Sequence, residues 1–291
     1  MSQIRGCDAV GCPVDKYGMA QCEVGNATLT AVGITDFTTN IDTMPLTWTV
    51  GLQERDGPLD GSQIVFDRNY YLGTPASLHL ANSTGCAVFF ESITGNLAVS
   101  GGNMDMDSSI CPDVLSPCCI SDVLAQVETR FEDLVARPND LSATQLCDQL
   151  REDLSGNAPD SCSEAKAGWG TLVSQPLTTT TMTEHAVNTT QCHPTTGQGY
   201  SLSLVTSQQQ QATSREHSQL SPILEAITPI VTVFGRANDI TANMACLTLV
   251  ESKYNKRNDT PQESGCTVST TYPAYLSYMA MIGTLTVLSL I

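Results

Sequence analysis

Leu46-Thr47-Trp48-Thr49-Val50-Gly51-Leu52 alternates large apolar residues with small ones, and Ile64-Val65-Phe66-Asp67-Arg68-Asn69-Tyr70-Tyr71-Leu72 follows it across Arg55-Asp56-Gly57-Pro58. A period of two sends successive side chains to opposite faces of a strand, so Leu46, Trp48, Val50 and Leu52 define a core face and the strand reads as half-buried. Gly57 tolerates the positive φ of a tight turn, and the two runs read as a hairpin. Trp48 on the core face is a packing residue; the alternative for it is a sugar-stacking platform. Further short apolar runs at residues 28–34, 77–80 and 86–91 come at the spacing of an antiparallel sandwich or barrel.

Downstream the period changes. Ile120, Val123, Leu124, Val127, Phe131, Leu134 and Val135 recur at helical spacing, with Ser121 or Asp122 near the start and Arg137-Pro138 at the end. A second helix begins at Ser142, where Gln145 completes a capping box, carries Leu146, Cys147, Leu150 and Leu154, and stops at Gly156. The two predict a helical hairpin. After Trp169 strand patterns return: Tyr200, Leu202 and Leu204 alternate with serines, and residues 229–234 and 245–250 read as central strands buried on both sides. The threonine run at 178–183 and the four glutamines within 207–211 read as exposed loops. The expected fold is therefore mainly β with a helical insertion: β-sandwich-like antiparallel sheets plus a disulfide-pinned helical hairpin. Its expected division is an N-terminal cysteine-containing segment at 1–21, one discontinuous β domain from 22–110 and 166–252, the insertion at 111–165, a polar spacer at 253–274 and an apolar tail at 275–291.

Twelve cysteines, Cys7, Cys12, Cys22, Cys86, Cys111, Cys118, Cys119, Cys147, Cys162, Cys192, Cys246 and Cys266, lie along the 291 residues. No Cys-x-x-Cys occurs, so paired thiolates for a tetrahedral zinc site are missing and a disulfide framework is the reading. Neighbouring cysteines seldom pair with each other, which sends Cys118 and Cys119 to two different partners. Five cysteines crowd the helical hairpin, and Cys147 is expected to bond to Cys118, Cys119 or Cys162. Asn26, Asn82, Asn188 and Asn258 each begin an Asn-x-Ser/Thr acceptor. Acceptors and disulfides together point to an oxidising, extracellular or cell-surface environment. Met1-Ser2-Gln3-Ile4-Arg5-Gly6 has no apolar h-region, and the leader is read as lost or the start as mis-assigned.

The chain carries a net charge of −17 with only 15% charged residues, and its thirteen lysines and arginines form no basic stripe, which excludes nucleic acid as an expected partner. The last seventeen residues are uncharged and apolar; upstream stand Ser264, Gly265 and Cys266, then an eight-residue polar spacer. Small triplet, spacer and apolar tail form the pattern of a glycosylphosphatidylinositol signal, with Ser264 the attachment residue and a membrane the partner. A spanning helix and an ordinary buried tail are the alternatives. Attachment at Ser264 removes Cys266 and leaves eleven cysteines, an odd number.

The search for chemistry returns mostly negatives. No Gly-x-Ser-x-Gly, His-Glu-x-x-His, phosphate loop or dinucleotide fingerprint is present, and no catalytic residue, cofactor or metal is expected. His79, His185, His193 and His217 read as solvated loop residues, and Cys192-His193 as an oxidised cysteine beside a residue on the opposite face. Asn103, Asp105 and Asp107 match the first ligands of a calcium loop, but Ser108 stands at the glycine position and Val114 at the terminal glutamate. Asp36, Asp42, Asp67 and Glu91 remain carboxylates that a fold could assemble; Glu128, Glu132 and Asp133 read as a solvated helix face.

Gly33-Ile34-Thr35-Asp36-Phe37, Leu46 to Gly51, Tyr71-Leu72-Gly73-Thr74-Pro75 and Ile227 to Phe234 resemble segments of uncharacterised fungal secreted and cell-surface cysteine-rich proteins. The resemblance implies a secreted or wall-associated location and carries over no catalytic residue. The expected function is a non-enzymatic extracellular glycoprotein, membrane- or wall-anchored, with a structural or binding role toward a glycan or extracellular protein. The alternative is a secreted, glycosidase-like hydrolase, which would need two carboxylates in a cleft beside exposed aromatics such as Tyr70 or Tyr71.

Overall fold

In order along the chain the elements are β1 (Cys22–Val24), β2 (Ala27–Leu29), β3 (Ala31–Phe37), β4 (Leu46–Arg55), β5 (Ile64–Pro75), β6 (Thr84–Phe90), α1 (Cys111–Val114), α2 (Pro117–Val135), α3 (Ala143–Gly156), β7 (Leu172–Pro176), β8 (Thr183–His185), β9 (Tyr200–Ala212), α4 (His217–Leu224), β10 (Thr228–Arg236) and β11 (Asp239–Leu247). The computed structural model describes residues 4–6, 10, 22–25, 27–55, 63–78, 80, 83–91, 111–137, 141–163, 171–179, 181–185, 194–197, 199–236 and 239–250.

Two antiparallel sheets face each other. One has the order β3-β4-β5-β9-β8 and the other β11-β10-β6-β7, so strands from before and after the helices share both sheets. The expected hairpin is β4 against β5, with Trp48 opposite Leu72 and Val50 opposite Tyr70. Between the sheets lie Leu46, Trp48, Val50, Leu52, Phe66, Tyr70 and Leu72 with Phe89, Ile230, Phe234 and Leu247. Trp48 is fully buried, donates Nε1–H to the Thr232 hydroxyl at 2.8 Å, and meets Phe89 edge-on at 5.7 Å. This is the packing role assigned to it from sequence, and the indole's polar atom is satisfied across the sandwich.

The expectation that β4 is half-buried fails on its second face. Thr47 and Thr49 are also fully buried. The segment at 194–196 lies over them, with Thr49 donating to the Pro194 carbonyl at 2.5 Å and Thr47 paired with Thr196 at 2.6 Å. Small hydroxyl residues suit a strand covered by a loop, because each hydroxyl satisfies a backbone or side-chain partner that the loop brings. Farther along the same face, β1, β2 and Leu29 cover Val32, Ile34, Tyr71 and Leu202.

The second sheet carries the helices on its outer face. Val123, Val127, Phe131 and Leu134 of α2, with Leu146, Leu150 and Leu154 of α3, pack on Val88, Phe90, Val231 and Val233. The two helices run antiparallel, joined by the Arg130–Asp153 ion pair and by Gln126 donating to the Asn157 carbonyl at 3.0 Å. The Ser142 capping box forms as the sequence predicts, and α3 ends at Gly156. By contrast α2 starts earlier than predicted: Ser116, not Ser121 or Asp122, caps it by accepting from the Cys119 N–H at 3.2 Å, and Pro117 fills the first helical position. Proline is suited there because its missing N–H would have no intrahelical partner.

Three disulfides fasten these layers: Cys86–Cys147, Cys111–Cys246 and Cys119–Cys162. The expected bond from Cys147 to another helical-hairpin cysteine is incorrect. Cys147 lies on the buried face of α3, over β6, so its neighbour is Cys86 on the sheet. Cys118 is likewise not in a disulfide but a free, exposed thiol. Consecutive helical residues project about 100° apart, so turning Cys119 into the core turns Cys118 to solvent. Cys22 is bonded; Cys7, Cys12, Cys192 and Cys266 lie outside the described residues.

Three smaller expectations also change. Residues 207–211 belong to β9, because Ser207 to Gln211 pair with Asn69 to Val65, and a tertiary partner outweighs the loop reading of a glutamine run. Residues 77, 78 and 80 are not in a strand; Leu78 N–H closes a turn on the Pro75 carbonyl at 2.9 Å. Of the two strands read as central, β10 is, while β11 is an edge of its sheet. Beyond β11 the chain crosses to the other sheet, where Val250 N–H bonds the Val32 carbonyl at 3.1 Å.

Candidate functional site

The convergence of polar chemistry lies inside the sandwich, where β5 and its neighbour β9 face β6 and β10. Strand alternation places Phe66, Arg68, Tyr70 and Leu72 on the inner face of β5, and the register brings Gln208 opposite Arg68 and Gln210 opposite Phe66. Register shifts between Tyr70 and Tyr71 in the pairing with β9. That irregularity lets Leu202 and Leu204 pack outward while Gln208 and Gln210 remain on the inner side.

Arg68 is 1% exposed and donates Nη2 to the Ala226 carbonyl at 2.8 Å. Burial lowers its guanidinium below the ordinary value, against the attraction of Tyr70. The Tyr70 hydroxyl pairs with Thr228 at 2.8 Å. Burial raises the Tyr70 phenol, with Arg68 and the Thr228 bond opposing and Glu91 adding to the rise. Gln208 donates to Glu91, the residue after β6, whose carboxyl is raised first by burial and lowered in part by that bond. The result is a hydrogen-bonded chain, Glu91–Gln208–Tyr70–Thr228, beside buried Arg68.

A raised folded-state pKa means that Glu91 binds a proton in the native chain at pH values where the unfolded chain has released it. Stability contributed by this group is therefore complete below its unfolded value, about 4.5, and is lost as pH rises through the folded value. Glu91→Gln retains an acceptor for Gln208 and removes the titration. The variant should be more stable than the parent at pH 7 and lose part of the decline between pH 4.5 and 7. Urea midpoints at four pH values in that interval test this, and superimposed curves for parent and variant would sink it.

The other sequence candidates are distributed rather than assembled. Asp67 faces the opposite side of β5 and meets exposed Arg55 as an ion pair without hydrogen-bond alignment. It sits near Tyr71, whose phenol burial pushes up to about 12, with the Asn69 bond opposing and Asp67 adding. Asp36 and Asp42 both stand near Tyr200, whose phenol is raised by burial first and then by Asp42 and Asp36. Tyr200 donates to the Pro45 carbonyl at 2.6 Å, and Asp42 accepts from Met44 N–H at 2.8 Å. Tyr70 and Tyr71 are 0% and 2% exposed, so neither presents a ring to solvent. Glu128 is not simply solvated: it accepts the Ala242 N–H of the edge strand β11 at 2.9 Å, while Glu132 and Asp133 are exposed.

On the solvent side of the helices an open depression of about 510 Å³ is lined by Gln126, Thr129, Arg130, Asp133, Asp153 and Asn157. Its one cation is already paired with Asp153. Among the described residues no group of three or more His, Cys, Asp or Glu side chains is placed to hold a metal, and no helix is long and apolar enough to cross a membrane. Asn26, Asn82, Asn188, Asn258, Ser264, His79, Cys192-His193, the 103–107 acidic alternation, the 56–58 turn and the apolar tail lie outside the described residues, as do the side chains of His185 and His217.

Sequence reasoning missed Arg68, although its signal is present: the period-two reading of Ile64 to Leu72 puts it in step with Phe66, Tyr70 and Leu72. Fold and linkages define a mainly β, disulfide-bonded double sheet with a helical outer layer, a construction compatible with an extracellular protein. Compared with known protein families, curated proteins and solved structures, the chain matches none of them.

Proposed function

We propose that the chain is a non-enzymatic extracellular glycoprotein of the fungal cysteine-rich kind, held at a membrane or wall through a lipid at Ser264. Its role is structural or binding, toward a glycan or an extracellular protein. The observation that carries the reading is the state of the cysteines. Three buried disulfides are compatible with an oxidising compartment and support the extracellular reading. With Cys118 free, eleven of the twelve cysteines remain to be paired, an odd number. Cleavage at Ser264 takes Cys266 away and leaves ten, six of which are the three pairs above and four of which are Cys7, Cys12, Cys22 and Cys192.

The placement of the carboxylates supports the non-enzymatic side. A glycosidase needs two carboxyl groups about 5–10 Å apart across a substrate cleft. Asp67 and Glu91 serve different faces of their sheets, and the hydroxyl of Tyr200 beside Asp36 and Asp42 is turned to the backbone.

Metabolic labelling of the full chain, expressed behind a secretion leader, with radioactive inositol tests the anchor. The expected product is a labelled, membrane-bound glycoprotein whose terminal peptide ends at Ser264. A lipid-free product secreted to the medium with Cys266 retained overturns it. Screening the folded product on a glycan array then tests the binding role.

A further inference from the structure

The polar cluster inside the sandwich contains a cation with no carboxylate counterpart among the described residues. Arg68 makes one hydrogen bond, to the Ala226 carbonyl. Its Nε is buried without a partner, and so is Oε1 of Gln210. Gln208 stands opposite Arg68 in the β5–β9 pairing and Gln210 is two residues farther on, so Gln210 is the diagonal neighbour of Arg68 on the same face. Neither nearby acid is available: Asp67 is held by Arg55 on the other face, and Glu91 is engaged by Gln208.

A buried guanidinium is costly unless both its hydrogen bonds and its charge are answered. One carbonyl dipole answers part of the charge. A water at Nε would satisfy that donor and leave the charge as it is; an anion would satisfy both. The amide of Gln210 can serve an anion as well, because exchanging its oxygen and nitrogen by rotation puts an NH2 donor where the unpaired oxygen now stands. The surroundings set a size limit. Phe66, Tyr70 and Ala212 pack in the same cluster, and Tyr70 is committed to Thr228, so a large oxyanion has neither space nor further donors.

We propose that Arg68 Nε and the Gln210 side-chain amide bind a small monovalent anion of halide size on the inner face of the paired strands β5 and β9.

The test is thermal unfolding of the full chain, disulfides intact, at fixed ionic strength with sodium chloride exchanged stepwise for sodium gluconate. The midpoint should rise by about 2–4 °C in chloride and saturate with concentration. Gln210→Glu supplies a fixed carboxylate beside Arg68; its midpoint in gluconate should exceed the parent's, and its chloride response should vanish. Arg68→Met should also lose the response, and if it fails to fold, Gln210→Glu carries the test alone. Equal midpoints for the parent in both salts, or an undiminished chloride response in Gln210→Glu, overturn the proposal. In crystals grown from bromide an anomalous peak beside Nε is expected; water-only density there overturns it.

Discussion

Gly33→Ala should cost at least about 3 kcal/mol and lower the thermal midpoint by roughly 6–12 °C. Gly33 lies in β3 opposite Val50. A Cβ at this position would stand 1.8 Å from the Thr248 carbonyl oxygen and 3.2 Å from Val50 Cγ1. The obstacle is backbone rather than the end of a flexible side chain, and it is fixed from both directions. Leu247 is paired with Thr228 in the second sheet, while Val250 N–H is bonded to Val32 in the first. Residues 248–250 are thus the strap by which the chain passes from one sheet to the other, and Gly33 is the position over which it passes. Overpacking that side chains can absorb costs about 1–3 kcal/mol; here the strap must lift, which breaks the Val250 bond and opens the end of the core at Leu247 and Leu249. Gly156→Ala is the control, since a Cβ there meets nothing within 4 Å. Denaturant melts of the two variants decide the matter: a Gly33→Ala protein as stable as the parent would remove the strap from the account.

The parts of this fold that can be read in the sequence are those whose signal is local. The alternation around Trp48 and the capping box at Ser142 each state a conformation within a few residues, and both elements form as read. The start of α2 was obscured because Pro117-Cys118-Cys119 carries no apolar periodicity; the cap at Ser116 depends on a single hydroxyl three residues before the N–H it accepts. The glutamines of β9 have low strand preference and are strand because β5 lies beside them, which is a non-local fact. Disulfide partners are non-local in the same sense. Cys147 faces the sheet because α3 buries Leu146, Leu150 and Leu154, and that face is legible, but which cysteine waits beneath it depends on how α3 lies across β6. The candidate site divides along the same line. Glu91 could be named as a candidate carboxylate, whereas its neighbours Gln208, Tyr70 and Arg68 come from other strands separated by up to 140 residues and share only a position in the register.

Replacing Cys111 and Cys246 together by alanine should remove about 2–4 kcal/mol, more than replacing Cys119 and Cys162. The chain-entropy argument gives the order. Cys111–Cys246 joins residues 135 apart and Cys119–Cys162 residues 43 apart, and closing a longer loop removes more freedom from the unfolded chain. An isolated 135-residue loop would be worth about 5 kcal/mol. The expected loss is smaller because Cys119–Cys162 lies inside that span and Cys86–Cys147 crosses into it, so the unfolded chain remains constrained after the longest link is cut. The folded chain also retains other ties at this corner. Val123, Val127 and Phe131 still pack on the sheet, and Glu128 still accepts from Ala242. Hydrogen exchange in the double variant should therefore quicken in α1 and the first turns of α2, with β10 protected up to global unfolding. Both cysteines must be changed at once, because a single replacement leaves a new thiol able to exchange with Cys119–Cys162 or to oxidise with Cys118, and the readout would then report rearranged bonds. Urea midpoints of the two double variants, measured without reductant, give the comparison. A loss at Cys111–Cys246 no greater than that at Cys119–Cys162 would show that the long link acts through local packing alone, and that the helical layer is held to β11 by its apolar face.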